Sequence, residues 1–269
     1  MPDHPANPVG RRRLLAGAVG AAGALLTGCS VGLPRPQAPR PDASCVPRTS
    51  LDSRREVAGL SLVYEIDQRP SAFRFEPAFF RQLGEWAAAL PAALDGRPDQ
   101  LWTYGSWTDG GGTCDSWHNA GRAFDVSRVR LRGGEFVSCR YDRWRTETGA
   151  ALAARQRAYW RLAAGLHLRF AYVLTYLYDA VHANHIHVDN GRSGPDWSTF
   201  STRSRVQVQA VQAILTHVWD RPVEITDRWD GPTRAATAEV LAAAGLPTDL
   251  SATAAWPGFL TASAERAAD

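Results

Sequence analysis

The sequence predicts an α+β fold: a mostly antiparallel sheet with flanking helices, followed by a small α-helical module. Two observations predict it. Strand-like runs and a hairpin signal mix with helical periodicities over residues 55–200, whereas residues 203–250 carry helical spacings alone. At 269 residues the chain can bury a full core, and its 45% apolar fraction is ordinary for a globular protein.

The order begins with a targeting segment. Arg11, Arg12 and Arg13 precede a fourteen-residue apolar and small-residue stretch from Leu14 to Thr27, too short to span a bilayer. It ends Leu26-Thr27-Gly28-Cys29, which resembles a bacterial lipobox, where cleavage precedes a Cys that is then lipidated. The Arg run followed by Leu-Leu also resembles a twin-arginine export signal. Residues 1–28 are therefore expected to be a lipoprotein signal peptide. The mature chain is expected to be exported and held to the outer face of the cytoplasmic membrane through lipidated Cys29, because two or three acyl chains anchor stably. Residues 29–54, with Pro34, Pro36, Pro39 and Pro41, read as an extended tether.

Within residues 55–200 a strand is expected over Leu60–Ile66. A helix follows over Glu76–Leu90, with Pro77 in its first turn and Phe79, Leu83, Trp86 and Leu90 on one face. Leu101–Tyr104 reads as a strand entering the Gly-rich loop Asp109–Gly112, and Ala123–Val126 as the next. Val129–Leu131 and Glu135–Val137 flank Gly133-Gly134 as a hairpin. Residues 147–169 are helical, with Leu152, Tyr159, Leu162 and Leu166 on one stripe, and Tyr172–Thr175 and Ile186–Val188 complete the strands. In residues 203–250, Val206, Val208, Val211, Ile214 and Leu215 mark one helix, and Arg228–Gly245 a second. Residues 251–269 are Ala-rich and expected to fray.

All 30 basic residues are Arg, and the net charge is only +3. Such a balance carries no case for nucleic-acid binding, which needs a concentrated basic face. An exported chain sits where disulfides persist. Cys114 and Cys139 flank the segment that carries His118, so a bridge between them would staple that loop and contribute about 3 kcal/mol. Cys45 is then left over, and its pairing with either of the others stays open.

Four of the seven His fall in two short segments, Ser116–Asp125 and His182–His187. An open zinc site needs three N or O protein ligands and an exchangeable position. His118, Asp125 and His187 supply that set. Asp125 and His187 lie on expected strands, and the two-residue spacing of His185 and His187 puts both on one face. Gly121 lets the chain turn between His118 and Asp125. Either segment alone also fits a half-buried imidazole and a capping carboxylate; both together fit a metal.

Ser116-x-His118-x-x-Gly121-x-Ala123-x-Asp125 followed by His185-x-His187 resembles the zinc D,D-peptidase and hedgehog superfamily. Within it, the Trp-Thr-Tyr-Gly-Ser run ahead of a Cys and the closing His-x-x-His-x-His-Val-Asp resemble the bacterial extensin-like C-terminal family, over residues 55–190. The resemblance implies zinc held by His118, Asp125 and His187, with His185 lining the site and Ser116, Arg122 and Asn184 facing substrate. It also implies a substrate class, the D-amino-acid-containing peptides of peptidoglycan. Relatives carry Asp or Glu where this chain has Asn184, and an amide cannot accept a proton at neutral pH. His182 or His185 is expected to move the proton instead. The helical region, through Val211–Leu215 and Trp229–Ala236, resembles a small peptidoglycan-binding module with a shortened loop.

The expected function is zinc-dependent hydrolysis of stem-peptide amide bonds, D,D or L,D, with peptidoglycan and the membrane as partners. Two alternatives stand beside it. One is a non-catalytic zinc-containing peptidoglycan-binding lipoprotein. The other is a protein whose His cluster binds no metal.

Overall fold

Alternation of buried and half-exposed side chains along Leu60–Tyr64 and Ala123–Leu131 marks the strands on which the sheet is built. The computed structural model describes residues 45–192 and 197–267, so the signal-peptide and Cys29 readings and most of the tether lie outside the described residues. Strands β1 (Asp52–Arg54), β2 (Glu56–Val57), β3 (Leu60–Tyr64), β4 (Arg69–Pro70) and β5 (Phe73–Phe75) lead into helix α1 (Pro77–Ala93). Then come β6 (Pro98–Gly105), β7 (Ala123–Leu131), β8 (Phe136–Ser138), α2 (Tyr141–Trp144), α3 (Gly149–Arg169), β9 (Tyr172–Leu174) and β10 (Ile186–Asp189). Helices α4 (Arg205–His217), α5 (Gly231–Ala243) and α6 (Ala255–Glu265) close the chain. The main sheet runs β2-β3-β6-β7-β10-β9, with β4 added to β3 and β8 to β7. Among the described strands only β3 and β6 pair in parallel, so the α+β, mostly antiparallel expectation holds.

Local chemistry explains the elements. The Glu76 carboxylate accepts from Phe79 N at 2.7 Å, so Glu76 caps the helix and Pro77 opens it. It buries Phe79, Leu83, Trp86 and Leu90 against α3. The separate strands expected over Ala123–Val126 and Val129–Leu131 are one continuous strand, and the hairpin around Gly133-Gly134 follows it. Helix α4 is buried at every position from Val206 to Leu215. Its three buried amides are satisfied. Gln212 alone serves Thr226, the Arg228 carbonyl and Thr233, so α4 anchors the loop into α5.

Two expectations need correction. The tail does not fray: α6 buries Trp256, Phe259 and Leu260, whose i, i+3, i+4 spacing was the overlooked helical signal. Arg161 Nε also donates to the Ala264 carbonyl at 3.1 Å, and Trp219 Nε1 to Ser263 Oγ at 2.8 Å. The disulfide joins Cys45 to Cys114, not Cys114 to Cys139. Val46 N donates to the Asn119 carbonyl at 2.9 Å and Trp107 Nε1 to the Val46 carbonyl at 3.2 Å, laying the start of the described chain across the His118 loop. Cys139 is instead a free, fully buried thiol beneath α3, where burial first and then the Glu65 charge push its pKa up.

Two predictions follow from this packing. Cys45→Ser opens a loop of 69 residues and should lower unfolding free energy by about 4 kcal/mol in urea titration, whereas Cys139→Ala should leave the bridge intact. His167 on α3 is fully buried against Trp256, and neither ring nitrogen has a hydrogen-bond partner. Burial depresses its pKa from 6.5 to about 3, so the folded state stays neutral while the unfolded chain takes up a proton. Stability attributable to this residue is whole above pH 6.5 and falls as pH drops toward about 3. His167→Leu should therefore stabilise the fold by about 1–3 kcal/mol and flatten its acid dependence, measured by thermal unfolding at about pH 7 and about pH 4.

Candidate metal centre

The first half of the site hangs from the end of β6. After Gly105 the chain leaves the sheet, and a short 3-10 helix, Trp117–Ala120, carries His118. Ser116 Oγ caps that helix by accepting from His118 N at 3.3 Å, and the Asn119 side chain accepts from Ser116 N at 3.0 Å. Ser116, expected to face substrate, thus serves as the helix cap. Gly121 ends the turn with φ 65°, and a Cβ there would stand 2.9 Å from Leu51 and 3.0 Å from Glu76 N. Only glycine meets both the backbone angle and the close approach. The chain then enters β7, which places Asp125 directly opposite His187 of β10.

Three ligand atoms converge as a result. Asp125 Oδ1 lies 2.9 Å from His187 Nδ1 and 3.2 Å from His118 Nε2, and the two imidazole nitrogens are 3.2 Å apart. His185, at the end of a second 3-10 helix over Ala180–Asn184, brings its Nε2 to 3.5 Å from the same carboxylate oxygen. The opposite nitrogen of each ring faces an acceptor. His118 Nδ1 meets the Ser106 carbonyl at 3.1 Å, His187 Nε2 meets Asp189 Oδ2 at 2.9 Å, and His185 Nδ1 meets Asn184 Oδ1 at 2.6 Å. Acceptors hold the protons on those outer nitrogens, so the inner nitrogens present lone pairs. Lone pairs crowded around a carboxylate repel one another unless a cation sits among them. The His118, Asp125, His187 set, all within 4.8 Å of one another, therefore fits a divalent metal by its donor chemistry.

A proton competes for the same place. Burial opposes charge on His187, yet hydrogen bonds to Asp125 and Asp189 outweigh it and push its pKa up to about 10. Burial likewise raises the Asp125 carboxyl, but the His118 and His187 interactions outweigh it and hold the group well below the usual range. For His185 burial outweighs the Asp125 charge that opposes it and takes the pKa down to about 4.

His182 stands at the edge of this cluster, its ring centroid 5.2 Å from that of His185 and 6.0 Å from that of His187. Asp179 Oδ1 accepts from His182 Nδ1 at 2.7 Å and also caps the short helix through Val181 N. Burial lowers the His182 pKa while Asp179 resists that fall. Arg122 stacks its guanidinium 4.8 Å from the Trp117 ring and donates to the Gly191 carbonyl at 3.1 Å, bracing the loop after β10.

The sequence names the five clustered residues and Asn184, and it places Asp179 and Asp189 nearby without their direction; the structure turns all three toward the imidazoles. Asp189 was legible, since two residues beyond His187 on one strand means the same face. Asp179 carried a capping signal three residues before His182. The Ser106 carbonyl and Tyr104, whose ring packs 5.8 Å from that of His185, lie in the Trp-Thr-Tyr-Gly-Ser run, which by itself gives no sign of contact with the imidazoles.

No curated protein and no solved structure matches the chain. Residues 108–200, the stretch that carries His118, Asp125, His182, His185 and His187, match the family model for the extensin-like protein C-terminus.

Proposed function

We propose that this protein is a zinc-dependent hydrolase of amide bonds in peptidoglycan stem peptides. The observation that carries the reading is the convergence of three lone-pair donors on one point, each imidazole locked from behind, with a carboxylate-backed His182 at its edge. The substrate class comes from the resemblance to the zinc D,D-peptidases. The bond, D,D or L,D, is for the product masses to name.

His118, Asp125 and His187 would hold the zinc, and Asp189 and the Ser106 carbonyl keep the two imidazoles in their ligating tautomers. When bound, zinc supplies Lewis acidity to the scissile carbonyl and acidifies water toward a pKa of ~7. His182 is the proton carrier: Asp179 engages Nδ1, which leaves Nε2 to take a proton from the attacking water and return it to the departing amine. Asn184 replaces the acid of related enzymes but has a different task here, orienting His185. His185 stays neutral at physiological pH and lines the site.

One observation favours a second reading, a non-catalytic zinc lipoprotein that binds peptidoglycan. The residue at the usual base position is an amide, already engaged with His185. In either reading the Cys45–Cys114 bridge suits an oxidising compartment, in line with export and a lipid anchor at Cys29. No helix among the described residues is long and apolar enough to cross a membrane. A wall-binding role for residues 203–250 would reside on the exposed side of α5 and its flanking loops, since α4 is buried.

The deciding experiment measures metal content, then incubates the folded region with purified peptidoglycan, with and without chelator, and reads released fragments by mass spectrometry. Chelator-sensitive release supports the hydrolase; one bound zinc without release supports the binding protein. His187→Ala should abolish both zinc retention and release, and full release by a zinc-free protein would sink the assignment. Asp189→Asn should weaken zinc affinity about 10–100-fold by competition with a chelating dye. His182→Ala should keep zinc yet lower kcat by about 10²–10⁴-fold, which separates proton transfer from metal binding.

A further inference from the structure

The Cys45–Cys114 bridge stands apart from the core. Neither sulfur belongs to the apolar cluster that takes in Cys139, and Cys45 is exposed while Cys114 is half-buried. Cys114 also holds a left-handed backbone, φ 47°, which residues other than glycine rarely adopt. Exposed bridges and strained ones are those that thiols open, whereas structural bridges resist reduction. Cys139 lies fully buried beneath α3, out of reach of exchange at the surface.

The bridge enters the loop that carries His118. At the start of that loop Ser106 Oγ donates to the Arg74 carbonyl at 2.6 Å, and at its end Glu76 N donates to the Gly121 carbonyl at 2.9 Å. Between those points the strap adds two ties, Val46 N to the Asn119 carbonyl at 2.9 Å and Trp107 Nε1 to the Val46 carbonyl at 3.2 Å. Both run through the residue next to Cys45, so the bridge roots them. Two other hydrogen bonds, Thr108 N to the His118 carbonyl at 3.4 Å and Asn119 Nδ2 to the Thr108 carbonyl at 3.1 Å, join the loop to itself. Asp125 and His187 are placed differently, by the pairing of β7 with β10, which opening the bridge does not touch. Of the three ligating residues, His118 is the one whose position depends on the bridge.

We propose that the Cys45–Cys114 bridge is a site of thiol–disulfide exchange that sets metal affinity: closed, it holds His118 in the cluster, and opened by a dithiol, it frees the His118 loop and weakens the site for zinc. A thiolate of the dithiol attacks the exposed Cys45 Sγ, the S–S bond breaks, and Cys114 departs as a thiolate that takes up a proton. The second thiol of the reductant then attacks the mixed disulfide, returning Cys45 as a thiol with the proton it gives up. Two electrons pass to the bridge, the reductant is left as its own disulfide, and oxidation reverses the change. Such a bridge forms in an oxidising compartment, so the site is completed there and not before. The inference rests on the metal site of the proposed function and adds its regulation.

Zinc binding, read without turnover, tests it. The full chain is treated with dithiothreitol at neutral pH without denaturant, and the thiols are trapped with methyl methanethiosulfonate and counted by mass spectrometry. Cys45 and Cys114 should be trapped while Cys139 stays unlabelled. Zinc affinity is then measured by competition with a chelating dye in the oxidised protein, in the trapped protein, and in Cys45→Ser combined with Cys114→Ser. Trapping and serine both remove the new thiols, which themselves attract zinc. The Kd for zinc should rise about 10–100-fold in both opened forms, the range expected when a ligand loses its support. Circular dichroism should still show a cooperative unfolding transition, and removing the caps and reoxidising should restore the affinity. The trapped protein decides where the serine variant does not fold. A bridge that resists the dithiol in the folded protein, unchanged zinc affinity once it is open, or loss of the fold on opening would overturn the switch. Unchanged affinity with chelator-sensitive cleavage removes the switch and leaves the hydrolase. Reversible loss of affinity in a protein that never cleaves leaves the switch and removes the hydrolase. No zinc on the oxidised protein removes both.

Discussion

The register between β7 and β10 governs this protein. Antiparallel pairing sets His187 opposite Asp125, Val188 opposite Phe124 and Asp189 opposite Ala123. Side chains on adjacent positions point to opposite faces, so a slip of one residue would send His187 into the core and Val188 out to the carboxylate. The fully buried Phe124, Val126, Ile186 and Val188 prevent that slip, because every one of them would have to leave the core. The clustered imidazoles and carboxylate thus owe their placement to buried apolar neighbours on the opposite face. Hydrophobic burial holds the register, and the register holds the chemistry.

Around that pair the remaining side chains are held by groups one step back. The Ser106 carbonyl faces His118, Asp189 faces His187, Asn184 faces His185 and Asp179 faces His182. Asp189 is itself steadied by the Gly191 amide at 2.5 Å. Each of the four imidazoles therefore arrives with one nitrogen engaged and the other presented. His118 depends on more than its ring contact, since its short helix is a loop feature with little burial of its own. The strap through Cys45 and Val46, the buried Leu51 and the Glu76 N to Gly121 carbonyl hydrogen bond at 2.9 Å press that loop onto the sheet. In this way a covalent bond and a few backbone contacts give a loop residue the constancy that strand residues have by default.

The helical half of the described chain acts on the site from behind. Helix α3 is the common support, packed by α1, α4 and α6, and it carries Tyr159 and Trp160 into an aromatic group with Tyr141, Trp144 and Tyr176. Trp144 and Tyr141 belong to α2, at the side of an arginine-lined cleft. That cleft and the metal cluster are two openings over one core, and Tyr104 lies where they meet.

Much was legible from residues alone. The α+β class, the principal strands and helices, and the five residues of the cluster followed from apolar periodicity and from the spacing of imidazoles and a carboxylate, because both are local properties. The α6 helix was legible too, in Trp256, Phe259 and Leu260, and was hidden only by the alanines around them. The partner of Cys114 was not. Disulfide choice depends on which chain segments meet, and Cys45 reaches Cys114 because residues distant in sequence hydrogen-bond across the His118 loop. The pairing of Asp179 with His182, the role of Asn184 as a holder of His185, and the union of Tyr104 with the arginine cleft were decided in the same way. The sequence by itself determined which groups are available to bind a metal and move a proton. Tertiary structure decided which nitrogen of each ring faces inward and what stands behind it, since a side chain's direction is set by neighbours that the linear order does not name.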